Sequence, residues 1–236
     1  MTGTKLRIAS YNIRKARGLD QKRNPGRTLE VINRLDADIV LLQEADKRLG
    51  MRKPALPPAM IEAETDFRLL EVSRNGVSLG WHGNAVLLRD GLEVTDVDHI
   101  ELPGTEPRGA VRFHLSAGQG LTVFAAHLGL MRRDRRAQLK VLSDKAADAP
   151  HAVIAGDFNE WSKRRGLEPL AKSFDTFAPG RSFHARRPMA ALDRFALSKG
   201  LELRDGGVEQ GTLARIASDH LPVWTDIRVP AAPAIC

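Results

Sequence analysis

Two short motifs carry the side chains of a metal-assisted hydrolase: Gly156-Asp157-Phe158-Asn159 and, later in the chain, Ser218-Asp219-His220. Together they supply two carboxylates, an amide and an imidazole. The first motif follows the apolar run 152–155, which predicts a short buried strand, and polar groups at strand ends of α/β proteins converge on a ligand crevice. Taken alone, Gly-Asp-x-Asn is also typical of an ordinary turn, so the interpretation needs further residues.

The first fifty residues add two more polar groups at predicted strand ends. The segments 6–12 and 37–44 are typical of strands, and helical spacing of apolar residues after Pro25 predicts a helix between them. Because such a crossover lays its two strands side by side, Asn12 and Glu44 are expected at neighbouring strand ends. Glu44 would then offer a hard oxygen ligand to a cation.

Composition limits the compartment and the partner. The net charge of +7 favours an anionic substrate. The one cysteine, Cys236, excludes an internal disulfide framework and a cysteine-ligated zinc site. The chain starts directly with a predicted strand and has no apolar stretch long enough to cross a bilayer, so we expect a cytoplasmic protein without a transmembrane segment, and a monomer.

Seven motifs in order resemble the endonuclease/exonuclease/phosphatase superfamily, the deoxyribonuclease-I-like group. The resemblance runs from about residue 5 to about residue 228, and an ordered series is far more specific than any single motif. The motifs are Tyr11-Asn12-Ile13, Leu42-Gln43-Glu44, Gly83-Asn84-Ala85-Val86-Leu87, Ala126-His127-Leu128, Gly156-Asp157-Phe158-Asn159, Leu192-Asp193 and Ser218-Asp219-His220-Leu221-Pro222.

The resemblance implies an α/β fold: a four-layer sandwich of two packed, mixed, mostly antiparallel β-sheets flanked by α-helices, with the active site at one edge. The length of 236 residues suits one such domain over residues 1–236, with a core at about 5–228. Residues 229–236, which are rich in proline and alanine, are expected to form a loose tail.

The resemblance also implies site roles. It gives Mg²⁺, with Mn²⁺ as a possible substitute, as the cofactor, held by Glu44, Asn12 and Asp219. The catalytic residues it implies are Asp157, Asn159, His220, His127 and Asp193. In these roles Asp157 orients or deprotonates the attacking water, and Asp193 holds the tautomer of His220. Whether Asp157 or His220 accepts the proton is left open.

Three further residues are predicted to bind substrate. Asn84 lies where the family places a substrate-side loop, and Arg186 belongs to a basic stretch before Asp193. Arg14 stands where relatives acting on abasic DNA carry an acid, which argues against abasic-site specificity and provides a cation for phosphate. A second basic run, 132–136, is interpreted either as a phosphate site or as a solvated helix face.

The predicted function is Mg²⁺-dependent hydrolysis of a phosphodiester by direct water attack. A nuclease is placed first because of the basic charge balance. The alternative is a lipid or small-molecule phosphodiesterase or phosphatase, for which 51–60 is the best apolar docking loop, unless that loop packs on the domain. A non-catalytic anion-binding module is the third hypothesis, and the complete set of polar motifs argues against it.

Overall fold

Strand-forming segments dominate the chain and assemble into two six-stranded sheets. The computed structural model describes residues 3–47, 50–162 and 165–232. Its strands are β1 Thr4–Asn12, β2 Ile39–Gln43, β3 Phe67–Leu69, β4 Ala85–Arg89, β5 Val94–Leu102, β6 Arg108–Leu115, β7 Leu121–His127, β8 Ala152–Asp157, β9 Phe174–Phe177, β10 Asp193–Ser198, β11 Glu202–Val208 and β12 Val223–Val229. Its α-helices are α1 Pro25–Asn33, α2 Pro58–Glu64, α3 Arg132–Lys145 and α4 Ala214–Ala217, with short 3₁₀ helices at Arg14–Ala16 and Glu168–Leu170.

The two sheets share one design. The first has the order β11-β12-β1-β2-β4-β3 and the second the order β5-β6-β7-β8-β10-β9. Within the described residues, each sheet has a single parallel pair near its centre, β1 with β2 and β7 with β8, and its other pairs are antiparallel. The mixed, mostly antiparallel sheets expected from the sequence are therefore confirmed.

The predicted strand–helix–strand unit is also confirmed. Asn24 caps α1 by accepting a hydrogen bond from the backbone N–H of Arg27, and Pro25 occupies the first turn, where its missing N–H costs nothing. Asn12 pairs in parallel register with Gln43, so Asn12 and Glu44 emerge at the same sheet edge. Strand β2 ends one residue earlier than expected, and Glu44 adopts a left-handed φ of 53°.

Alternation along the strands divides the core into layers. In β1, Ile8 belongs to the core between the two sheets, whereas Ala9 and Tyr11 pack outward with α1. On the far side, Leu139 and Leu142 of α3 cover the outer face of the second sheet. Helices, sheet, sheet and helix give the four-layer sandwich that was predicted.

One peripheral segment departs from expectation, and a second, the 51–60 loop, follows one of its two interpretations. The expected tail begins inside the fold, because Val229 is the last residue of β12 and the carbonyls of Pro230 and Ala231 accept hydrogen bonds from Gln119. Residues 233–236, with Cys236, lie outside the described residues. In the 51–60 loop, Leu56 is fully buried, so the loop packs on the domain. No helix in the described part of the chain is long and apolar enough to cross a bilayer.

Candidate active site

Three neighbouring strands of the second sheet place three polar residues side by side. His127 ends β7 and pairs in register with Asp157 at the end of β8, and Asp157 pairs in turn with Asp193, the first residue of β10. All three are buried. The sheet register thus makes a row of imidazole and two carboxylates at one edge of the sandwich.

Gly156 makes the close approach of β7 and β8 possible. Its φ is +145°, and a Cβ placed there would lie 1.8 Å from the carbonyl oxygen of Ala126. A side chain at this position would push the two strands apart. Gly156 therefore allows the two strands to lie close enough to place His127 beside Asp157.

The carboxylate of Asp157 is the point on which the site converges. Its Oδ2 accepts a hydrogen bond from Nδ2 of Asn12 at 3.0 Å and lies 3.5 Å from Nε2 of His127 and 3.6 Å from Nε2 of His220. Its Oδ1 accepts the backbone N–H of Asn159 at 2.9 Å. The side-chain amide of Asn159 donates to the carbonyl of Leu128, which ties the loops after β7 and β8 together.

A chain of hydrogen bonds fixes His220. Its Nδ1 lies 2.8 Å from Oδ2 of Asp193, and the same oxygen accepts the hydroxyl of Ser182 at 2.5 Å. Both ring nitrogens of His220 thus face a carboxylate, Asp193 on one side and Asp157 on the other. Ser182 was not predicted, because nothing in a single sequence distinguishes a buried serine that orients an aspartate from any other serine.

The two histidines differ in their protonation. Burial lowers the pKa of His127 to about 3, and the nearby Asp157 only partly opposes this, so His127 is neutral at pH 7. Burial also acts to lower the pKa of His220, but the charges of Asp193 and Asp157 outweigh it and raise the pKa to about 10. The edge therefore presents one neutral and one cationic imidazole.

The expected metal ligands line the same cleft, of about 520 Å³, as Asp157 and the two histidines. Glu44 and Asp219 each contact a cation from the turn after β1: Lys15 binds Glu44, and Nε of Arg14 lies 3.4 Å from Asp219. With the amide oxygen of Asn12 they form an all-oxygen donor set, which suits Mg²⁺ or Mn²⁺. The residues present therefore fit a divalent cation.

A second group of side chains also has metal-binding potential. Ligand atoms of Asp157, Asp193 and His220 lie within 4.8 Å of one another. Oδ2 of Asp193 is engaged by Ser182 and His220, whereas its buried Oδ1 has no hydrogen-bond partner among the described residues, so this group is a second place where a cation could bind.

Of the predicted site residues, the structure brings seven to the cleft wall. These are Asn12, Glu44, His127, Asp157, Asn159, Asp219 and His220. Asp193 lies directly behind His220.

The three predicted substrate-binding residues do not line this cleft. Asn84 is fully buried, and its amide donates to the carbonyls of Gly109 and Trp81, so it holds a turn in place. Arg14 turns toward Asp219, and Arg186 is exposed on the 181–190 segment.

Basic side chains that the sequence analysis did not select line the cleft instead. Lys15, Lys47, Arg52, His82 and Arg108 belong to its wall. Arg108 pairs with Glu106 at 2.8 Å and Lys15 with Glu44, whereas Lys47 and Arg52 form no ion pair with the described residues. Lys15, Lys47 and His82 lie within three residues of the motifs, but only the fold shows that their side chains face the cleft.

The basic run 132–136 is largely used inside the protein. Glu160 is buried and binds Arg135 at 2.8 Å and Arg132 at 3.1 Å. The buried Arg194 donates to the carbonyls of Glu160 and Ser162. The run is therefore neither a plain solvated face nor a phosphate site as a whole: two of its arginines secure the loop that carries Asn159.

We expect Glu160→Gln to lower the free energy of unfolding by about 3 kcal/mol, because it leaves buried guanidinium charge without its partner. Burial acts to raise the pKa of Glu160, but hydrogen bonds from Arg132 and Arg135 outweigh it and lower the pKa to about 2 from an ordinary 4.5. The stabilisation is therefore complete above about pH 5 and is lost as the pH falls toward 2. Urea unfolding at several pH values measures both effects.

Glu168→Gln is the matched control, because Glu168 is exposed and pairs only loosely with Arg136, at 3.7 Å. It should leave stability nearly unchanged. Equal effects of the two substitutions would contradict the assignment of Glu160 as the buried counter-ion.

Solved structures of other proteins share this fold. A mannosyl-6-phosphatase from Bacteroides thetaiotaomicron superposes with a TM-score of 0.76 at 19% identity, covering 95% of this chain and 100% of that one. Truncated TDP2 from Caenorhabditis elegans gives a TM-score of 0.75 at 16% identity, covering 95% and 98%. At such identities the likeness concerns the fold alone, a two-sheet sandwich shared with these proteins.

Sequence comparison identifies the family. The model of the endonuclease/exonuclease/phosphatase family matches residues 9–220, and the chain belongs to that family. Its members are phosphoester hydrolases. The chain is also similar to YbhP, an uncharacterised protein of Escherichia coli, with 28% identity over 225 residues that cover 85% of this chain and 87% of that protein.

Proposed function

We propose that this protein hydrolyses a phosphodiester by direct attack of water, with a divalent cation, Mg²⁺ in the first place, as cofactor. The observation that carries the proposal is the convergence of Asn12, His127 and His220 on one carboxylate oxygen of Asp157. Family membership supports the reaction class.

Asp157 is the residue we assign to the attacking water. Its Oδ2 faces the cleft among three donors, and its Oδ1 is held by the backbone N–H of Asn159. A carboxylate fixed on both oxygens can accept a proton from water without changing its position. His220 is the weaker candidate for the base, because both of its nitrogens face carboxylates and hold protons.

The phosphoryl oxygens of the substrate are stabilised by three side chains, those of His220, His127 and Asn159. A protonated His220 supplies positive charge where negative charge develops in the transition state. Neutral His127 and the amide of Asn159 can donate hydrogen bonds without adding charge. Asp193 and Ser182 keep His220 in one orientation.

Glu44, Asp219 and the amide oxygen of Asn12 would hold the cation. When bound, it supplies Lewis-acid polarisation of the phosphoryl oxygens and stabilises the leaving oxygen. Lys15 and Arg14 neutralise the two carboxylates in this structure and would have to yield to the cation.

For the substrate we place a lipid or other compact phosphodiester ahead of nucleic acid. The nuclease hypothesis rested on net positive charge, and Arg132, Arg135 and Arg194 are used within the protein. Lys47 and Arg52, on the cleft wall, suit one phosphate group rather than a long polyanion.

A substrate panel tests the proposal. The panel contains duplex DNA, RNA, bis-nitrophenyl phosphate, a lysophospholipid and inositol phosphates, each assayed with and without Mg²⁺. We expect metal-dependent cleavage of a compact diester with a shallow salt dependence. A polynucleotide substrate would instead lose affinity steeply between about 50 and 200 mM salt, since many phosphate contacts release many counterions.

The binding-module hypothesis predicts a different outcome. It requires that no member of the panel be turned over at any pH or with Mg²⁺ or Mn²⁺, and that calorimetry detect no binding of either cation. That combination would overturn the proposed function.

A further inference from the structure

Large apolar side chains are exposed beside the active site. Among the described residues, five such side chains are more than 60% exposed, and four of these, Leu130, Met131, Trp161 and Met189, lie on three loops. The fifth, Met51, lies on the 51–60 loop and precedes Arg52, which lines the cleft. Exposure of large apolar side chains to water is unfavourable. A group of such side chains on the surface therefore indicates an interaction surface.

The three loops contact one another around the catalytic edge. The amide of Asn159 donates to Leu128, and Arg132 binds Glu160, which joins the loop after β7 to the loop after β8. The Trp161 ring lies edge-on to Phe183 at 6.1 Å, and Phe183 in turn lies 5.0 Å from the His220 ring. The four exposed side chains therefore form a rim beside the active site, which we call the apolar rim.

Exposed cations accompany the apolar rim. Arg133, the second residue of α3 and two residues after Met131, has a side chain that is 90% exposed. Arg186 and Arg187 are exposed on the same segment as Met189 and form no ion pair within the described part of the chain. Apolar side chains flanked by arginines are complementary to a bilayer surface, which has anionic headgroups on the outside and apolar acyl chains beneath them.

We propose that the apolar rim docks on the surface of an anionic phospholipid bilayer, with Met131, Trp161 and Met189 entering the interface and the flanking arginines contacting headgroups. A nucleobase platform is the less suitable occupant, because three of the four exposed side chains are aliphatic and stacking requires aromatic faces. The docking proposal depends only on the exposed residues of the apolar rim and the arginines beside it. Its consequence, that the cleaved phosphodiester is presented at a membrane, rests on the proposed function.

Vesicle cosedimentation of the full chain tests the docking. Vesicles of phosphatidylglycerol mixed with phosphatidylcholine are compared with phosphatidylcholine alone, in EDTA and in the Asp157→Asn background, so that catalysis plays no part. We expect binding to the anionic vesicles that weakens with salt. The double variant Trp161→Ser/Met189→Ser should lose about tenfold or more in partitioning, because two large apolar side chains no longer enter the interface.

Leu203→Ser is the matched control, because Leu203 is 41% exposed and pairs through Ile227 with Leu6, near the start of β1, whereas Asn12 and the active site lie at the end of that strand. It should bind vesicles like the unaltered protein. Thermal unfolding of each variant checks that the fold is retained, as expected for exposed positions.

Tryptophan fluorescence gives a second, local readout. Trp81 is buried and Trp224 half-buried, so a vesicle-induced shift of emission to shorter wavelength reports mainly on Trp161. Three results would overturn the proposal: no preference for anionic vesicles, full binding by the double variant, or a Trp161 response to a single-stranded oligonucleotide with none to vesicles.

Discussion

Asp157→Asn should lower kcat/KM for the cleaved diester by roughly 10³-fold, within the range that a positioned general base contributes. The amide keeps the shape of the carboxylate and can still contact the backbone N–H of Asn159, but it cannot accept a proton from water. It also removes one of the two carboxylates that face His220. Steady-state kinetics at saturating Mg²⁺ measures the loss.

Glu106→Gln is the control for this variant. Glu106 also lines the cleft and accepts hydrogen bonds, from Arg108 and from the backbone of Leu130, but it has no part in the cluster around Asp157. Its substitution should leave kcat largely intact. If folded Asp157→Asn kept more than about a tenth of the activity, another group would have to be the base.

Asp193→Asn should lower kcat by about 10²–10⁴-fold. The substitution removes the negative charge that orients the His220 ring and stabilises its protonated form. The pKa of His220 then falls from about 10, and the alkaline limb of the pH–rate profile moves to lower pH. In the unaltered protein the raised pKa also stabilises the fold fully below about pH 6.5, and this contribution is lost as the pH rises toward 10. NMR titration of His220 checks the direction.

Ser182→Ala gives a graded comparison at the same carboxylate. It removes one hydrogen bond to Oδ2 of Asp193 but leaves the charge and the His220 contact in place. We expect a loss of less than about tenfold with the alkaline limb nearly unmoved, since a single hydrogen bond contributes about 1 kcal/mol. An alkaline limb unchanged in Asp193→Asn would contradict the orienting role.

Much of the fold could be predicted from local pattern. Apolar runs and the helical spacing of apolar residues after Pro25 were enough to predict β1, α1 and β2, because both patterns depend on neighbours in the chain. The ends of these elements could be placed only to within a residue or two. Glu44 is an example, since its left-handed backbone is imposed by the turn that it enters.

The motifs also predicted which residues meet at one edge, because polar residues at strand ends converge when the strands are neighbours. They could not predict the contacts in detail. Asn84 belongs to a motif of the family, yet it is buried and bonded to backbone carbonyls. Arg14 turns to Asp219, although its place after Asn12 made it a candidate for phosphate binding.

By itself, the sequence determined the residue types available for chemistry, the strand–helix–strand unit at the start of the fold and the family to which the chain belongs. The tertiary structure alone decided which polar groups face one another: Asn12 reaches Asp157 across 145 residues of chain, and the buried Glu160 binds Arg132 and Arg135. The physical reason is that a local pattern depends on adjacent residues, whereas the partner of a buried polar group depends on which distant strands and loops pack beside it.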